Sequence, residues 1–199
     1  MKIISVNVAR VGDLFATMPG ERQPTKTGIH KRPVIGPVQV GLLGLEGDEQ
    51  ADLSLHGGLD KAVYAYPLEH YDFWNVQCGA SSKRASGGMP LTAGAFGENL
   101  TIEGLLESDV WIGDRLHVGD VVLQVTEPRH PCFKLNIKLG FSHASKFMVQ
   151  SGYSGFYLRV VQPGTLTAGD TVTLLPGPRE VALSWLNERR RKGRQESLF

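Results

Sequence analysis

Apolar residues along this chain recur in short runs, mostly at every second position. Lys2–Val8, Val38–Leu43, Ala62–Tyr66, Arg115–Val118, Val121–Glu127, Gly155–Val161 and Thr171–Leu175 are rich in β-branched or alternating apolar residues and read as strands. Gly, Asp or Pro bounds most of them, as at Ile112-Gly-Asp114 and Val118-Gly-Asp120. The 24 glycines and 11 prolines are spread over all 199 residues, which suits many short elements joined by turns. Many short strands in an open sheet would leave many unpaired edges. The pattern therefore predicts a mainly β protein, a closed β-barrel with a few short peripheral helices.

Helical spacing appears in few places. Pro67–Cys78 opens with Pro at a first-turn position and sets Leu68, Tyr71, Phe73 and Trp74 around a helix. Ser142–Ser151 places Ala144, Phe147 and Met148 at helical intervals, and Val181–Arg191 follows the breaker Pro176-Gly-Pro178. Gly79–Thr92 is Gly/Ser-rich and reads as a mobile loop; Thr17–Pro37 reads as a polar loop or hairpin. No internal repeat is visible.

Composition adds limits rather than a function. Hydrophobic content of 41% and charged content of 21% are those of a soluble globular chain. No apolar stretch approaches the ~18 residues of a membrane span, and Met1–Arg10 alternates like a strand rather than a leader. The expected location is cytoplasmic. A net charge of +1 gives no global field for nucleic acid. The basic run Glu188–Arg194 reads as a solvated helix end, where cations suit the negative pole of the helix. Two cysteines, Cys78 and Cys132, are too few for a disulfide scaffold, and no Cys/His spacing suits structural zinc.

Three segments concentrate reactive side chains. Gly44–Asp52 with His56-Gly-Gly-Leu-Asp-Lys61 gathers acids, a His, adjacent glycines and a Lys. Gly57 and Gly58 permit positive φ and close approach of backbone N–H groups to an anion, with Lys61 as a point charge. The same stretch also reads as a tight structural turn, or as a site for a hard or borderline cation built from Asp48, Asp52, His56 and Asp60. The nucleotide-binding Gly-x-x-x-x-Gly-Lys-Ser/Thr pattern does not occur. Ala93–Thr101 offers the Asn99 amide beside two glycines, either to a ligand or to its own turn. The third segment, Glu127-Pro-Arg-His-Pro-Cys132-Phe-Lys-Leu-Asn136, follows a predicted strand. Arg129, His130 and Lys134 favour thiolate over thiol at Cys132, and Pro128 and Pro131 stiffen its loop. Cys78 has no such neighbours and reads as a bystander.

Taken together and in order, Gly47-Asp-Glu-Gln-Ala-Asp52, His56-Gly-Gly-x-Asp-Lys-Ala-Val63, Tyr66-Pro-x-Glu-His-Tyr71, Phe96-Gly-Glu-Asn-Leu100 and Pro128-Arg-x-Pro-Cys-Phe-Lys-Leu-Asn136 resemble the MOSC domain, the C-terminal domain of molybdenum-cofactor sulfurase, in its YiiM-like branch. The resemblance runs from about residue 1 to 175. It implies a barrel of the pyruvate-kinase type over 1–178, with 179–199 a short basic helix or tail. It implies molybdenum cofactor, a pyranopterin dithiolene, with Cys132 as both the metal ligand and the catalytic residue. His56, Gly57, Gly58, Lys61 and Arg129 would meet the cofactor's phosphate; Asn99 and Lys134 would serve its pterin or support the site. Pyridoxal phosphate is not expected. The implied reaction reduces N-hydroxylated compounds, such as hydroxylaminopurines and amidoximes, to amine or amidine. The chain shows neither Gly-x-Gly-x-x-Gly nor an iron–sulfur cysteine set, so electrons would come from a separate flavin- or haem-type reductase. A persulfide on Cys132 acting as sulfur carrier, and a cofactor-binding module without turnover, are the alternatives. A monomer or homodimer is expected. YiiM-like proteins carry a small three-helix region after the barrel, and the residues past Pro178 leave room for at most one such helix; substrate range and donor docking are where that would tell.

Overall fold

The computed structural model describes residues 1–14, 25–53, 57–79 and 90–196. Strands β1 (Lys2–Val8), β2 (Gly12–Leu14), β3 (Thr25–Thr27), β4 (Arg32–Pro33), β5 (Val38–Gly41) and β6 (Gly44–Leu45) open the chain. A 3₁₀ turn at Leu59–Lys61 leads into β7 (Val63–Pro67), a second at Leu68–His70 into helix α1 (Tyr71–Gly79). Then come β8 (Leu100–Glu103), β9 (Arg115–Val118), β10 (Val121–Pro128), α2 (Phe133–Leu139), α3 (Ala144–Ser151), β11 (Phe156–Gln162), β12 (Gly164–Leu166), β13 (Thr173–Leu175) and α4 (Leu183–Glu196).

Eight strands form one curled sheet in the order β13-β9-β10-β11-β7-β8-β1-β4. All neighbours are antiparallel except β7 and β8, which run parallel. A parallel pair needs a long crossover, and the segment carrying α1 supplies it. The predicted closed barrel needs correcting to an open half-barrel, because β13 and β4 end the ladder without pairing with each other. The outer edge of β1 is instead shared by two short partners. Asn7 and Val8 face Pro33 and Arg32 of β4, while Lys2 bridges Thr171. Neither partner runs the length of β1, so no continuous ladder seals the gap. Two smaller sheets, β12-β5-β6 and β2-β3, complete the described strands.

The two-residue period of β7 divides the interior. Val63 and Ala65 enter a core inside the curl with Ile3, Val6, Leu100, Leu116, Val125 and Leu158. Tyr64 and Tyr66 point the other way, into a second core under the helices with Trp74, Phe96, Leu135 and Met148. Both faces of β7 are therefore buried, and a strand of this kind reads VYAYP rather than polar–apolar. Cys78 is fully buried in the second core, in keeping with a bystander.

Each predicted strand and helix is present, Lys2–Val8 and Arg115–Val118 with the predicted bounds and the others with ends moved by a few residues. Residues 80–89 of the predicted mobile loop, and residues 17–24 of the predicted polar segment, lie outside the described residues. The latter segment is flanked by the β2–β3 pair. The C-terminal helix is more firmly seated than a solvated end implies. Leu183 is fully buried, its N–H bonds Val110 O at 3.1 Å, and Arg190 Nη1 donates to Pro128 O at 2.8 Å.

Candidate functional site

The segment around Cys132 does not stay a loop. Cys132 has extended backbone angles and stands at the N-terminal boundary of α2, with Leu135 N–H on its carbonyl at 3.0 Å. Leu135 and Leu139, four apart, bury one face of this helix, and Gly140 ends it with φ 61°. Just upstream, β10 carries a bulge between Val125 and Glu127. Bulges bend a strand and re-aim its side chains, and here Glu127 turns to Lys61, Oε1–Nζ 3.5 Å. Strand, bulge and helix together set Arg129 and Cys132 at one wall of a solvent-open cleft with about 640 Å³ of empty space.

Lys61, Lys134 and Asn99 line this same cleft, as do Tyr64 and Tyr157. Arg129 is 7% exposed. Its guanidinium lies 4.8 Å from the centre of the Tyr64 ring, with Nη1 donating to Tyr64 Oη at 3.4 Å and approaching Met148 Sδ at 3.9 Å. Among the described residues no carboxylate comes within ion-pair distance of it. Burial by itself would weaken the guanidinium's hold on its proton; Tyr64, Tyr157 and Cys132 outweigh that, and the net direction is upward. Burial keeps the Tyr64 and Tyr157 hydroxyls protonated, raising both despite Arg129. A buried cation without an acidic partner is costly unless something anionic completes it.

A second group of residues that line the cleft was not legible as a site. Lys31, from the segment between β3 and β4, is 9% exposed and donates to Asp48 Oδ1. Asp48 also accepts Ala9 N–H at 2.9 Å and Asn99 Nδ2 at 2.9 Å. Asn99 in turn accepts Tyr64 N–H at 3.0 Å and donates to Asn7 O at 3.2 Å. Its amide thus ties β1, β7 and Asp48 together, with both ends engaged. Lys134 donates to Lys26 O at 3.0 Å. His130 is exposed and does not line the cleft.

The glycine pair serves the turn. Gly58 has φ 84° and donates its N–H to Gln50 Oε1 at 3.1 Å, and Gln50 Nε2 reaches Lys61 O at 3.2 Å. A side chain on Gly57 would collide with Gln50 Oε1 at 2.2 Å. Neither glycine borders the cleft; Gln50, the residue that organises them, does. His56 lies outside the described residues. Of the residues in the hard-cation reading, Asp60 pairs with Arg159 at 2.7 Å, and among the described residues, which leave out His56, no trio of metal-ligating side chains gathers.

Behind Lys31, Lys138 of α2 donates to Ile29 O and Gly94 O. Burial pushes its amine down to about 7, with Glu98 pulling it back and Arg129 and Lys31 adding repulsion. The unfolded chain, titrating at 10.5, then holds a proton that the folded chain has lost. Stability from this group is absent below about 7 and grows as pH rises towards 10.5. Denaturant unfolding from pH 7 to 10 should therefore show a rising contribution that Lys138→Met removes; an unchanged slope in the variant would contradict it.

A family model described as "MOSC domain" matches residues 52–173. The chain is 39% identical over 186 residues to the "Uncharacterized protein YflK" of Bacillus subtilis, spanning 93% of this chain and 78% of that one. It is 38% identical over 153 residues to a "Reductase" of Gibberella moniliformis, spanning 76% of this chain and 26% of that protein. The crystal structure of YiiM from Geobacillus stearothermophilus superposes with a TM-score of 0.74 at 36% identity, over 97% of this chain and 85% of that one.

Proposed function

Because this chain belongs to the MOSC domain family, we propose that it binds molybdenum cofactor through Cys132 and reduces N-hydroxylated compounds with electrons from a separate reductase. The observation that carries this reading is the pairing of two groups in one cleft: a half-buried cysteine, and a buried guanidinium with no carboxylate beside it among the described residues. The cofactor is an anion with a terminal phosphate and two sulfurs on a metal. Arg129 would meet its charge at the buried end, with Lys61 and Lys134 nearer solvent, and the Cys132 thiolate would supply a soft ligand. When bound, the cofactor supplies two-electron oxygen-atom chemistry at molybdenum.

The chain's own part is orientation and electrostatics. Tyr64 holds Arg129 by ring face and hydroxyl, and is itself fixed by donating to Ser154 O at 2.7 Å. Glu127, paired with Lys61, keeps that ammonium near the Tyr157 ring, 5.9 Å from its centre. The fungal relative named a reductase supports a reductive role, and most of its length lies outside the matched region.

The test is reduction of 6-hydroxylaminopurine to adenine, with reduced methyl viologen as donor, by protein from a molybdenum-replete host. Turnover is expected. Molybdenum-loaded protein without turnover would favour a delivery module, and a Cys132 persulfide without molybdenum would favour a sulfur carrier.

Arg129→Met separates binding from folding. The cofactor-free variant should melt at or above the parent temperature, since an unneutralised buried charge is removed at similar volume. Cofactor retention should fall at least ~10-fold, the scale of one lost charge-assisted bond. A variant that melts lower and retains cofactor normally would contradict the role given to Arg129.

A further inference from the structure

Reduction of R–NH–OH to R–NH₂ takes up two electrons and two protons and releases water. The function proposed above, on which this inference rests, names the source of the electrons and leaves the protons unassigned. The side chains of the cleft narrow the choice. Tyr64 and Tyr157 are held protonated by burial. Arg129 does not give up its proton at any working pH. Asp48 accepts from Lys31, Ala9 and Asn99, so both its oxygens are already engaged. Lys61 is engaged with Glu127 and Lys134 with the Lys26 carbonyl.

Lys31 differs from all of these. It lines the same cleft as Cys132, its side chain is almost wholly removed from solvent, and its ammonium rests on a carboxylate that is fixed from two other directions. We propose that Lys31 is the general acid of this cleft, protonating the departing oxygen of the N-hydroxylated substrate.

The step balances. With two electrons supplied by the partner reductase, the N–O bond breaks and Lys31 Nζ gives its proton to the hydroxyl oxygen, which leaves as water. The nitrogen takes the second proton from solvent. The neutral amine of Lys31 regains a proton from solvent, and Asp48 stabilises the restored ammonium. The surrounding charges suit this cycle. Asp48 and Glu98 hold the amine's affinity for a proton up; burial and Arg129 bring it below the ordinary lysine value. Lys138 of α2, whose own amine is pushed down to about 7, lies nearby, and His30 precedes Lys31 in the chain. An acid working near neutral pH needs this kind of downward displacement.

Lys31→Arg is the informative variant. It keeps the charge and the Asp48 pair, and a guanidinium does not release its proton. In molybdenum-loaded protein assayed with reduced viologen, kcat should fall ~10²–10³-fold, within the span of general acid catalysis. Molybdenum content should match the parent. The parent's kcat should decline on the alkaline side as Lys31 deprotonates, and that limb should vanish in the variant. Lys31→Ala should regain part of its rate with added ethylammonium. A readout without turnover is isotope-coded acetylation of the cofactor-free parent across pH, in which Lys31 should titrate below the exposed lysines. An ordinary titration of Lys31, or parent-like kcat and pH profile in Lys31→Arg, would overturn the proposal. So would loss of molybdenum from Lys31→Arg, which would make Lys31 a binding group. A loaded parent that fails to reduce the substrate would instead overturn the function itself, and this inference with it.

Discussion

Cys132→Ser is expected to lose more than ~100-fold in reduction of 6-hydroxylaminopurine while remaining folded. Weakening an outer support of a metal ligand already costs 10–100-fold, and in the proposed function this change would replace a ligand's soft sulfur with a hard hydroxyl. Folding should be nearly untouched. Cys132 is half-buried at the N-terminal boundary of α2, a position where Ser is among the preferred residues. Steady-state rates with viologen, beside thermal melts, check both halves. Parent-like turnover in the Ser variant would remove Cys132 from the chemistry.

Gly155→Ala should cost about 2–4 kcal/mol of stability, summing a left-handed backbone without glycine and an overpacked contact. Gly155 has φ +62°, and a Cβ there would stand 2.3 Å from Ala65 O and 2.8 Å from Tyr64 Cε2. The neighbourhood cannot move away cheaply. Gly155 donates to Glu107 Oε1 at 2.6 Å, its carbonyl accepts Arg129 N–H at 3.3 Å, and the next residue pairs with Ala65 in the β11–β7 ladder. A lower denaturant midpoint at constant slope is the expected signature. A loss under ~1 kcal/mol would show that this close approach relaxes easily.

The strands were legible because their alternation is short-range information; Lys2–Val8 and Arg115–Val118 read from the sequence with the boundaries observed. Closure was not. Whether the outer edge of β1 is sealed depends on two distant segments, β4 and the stretch around Thr171, and neither runs its length. Helix α2 hid behind Pro128 and Pro131, although Leu135, Leu139 and Gly140 carry the spacing and the terminator of a short helix. In the cleft, Cys132 and Arg129 were marked by their own neighbours. Lys31 was not, because a lysine in a polar run reads as solvated until the fold sets Asp48 against it. Asn99 shows the converse: an amide in a suggestive motif that the fold spends on Tyr64, Asn7 and Asp48. Gln50 gave no signal of its own, and its role exists only once Gly58 and Lys61 are brought to it.

The proposed function turns on what Cys132 holds. Molybdenum and pterin should be measured per chain in parent and Cys132→Ser protein, both purified from a molybdenum-replete host. Near-stoichiometric molybdenum with pterin in the parent, lost from the Ser variant, is the predicted result. Molybdenum retained undiminished by Cys132→Ser, or a parent carrying a Cys132 persulfide and no molybdenum, would contradict it.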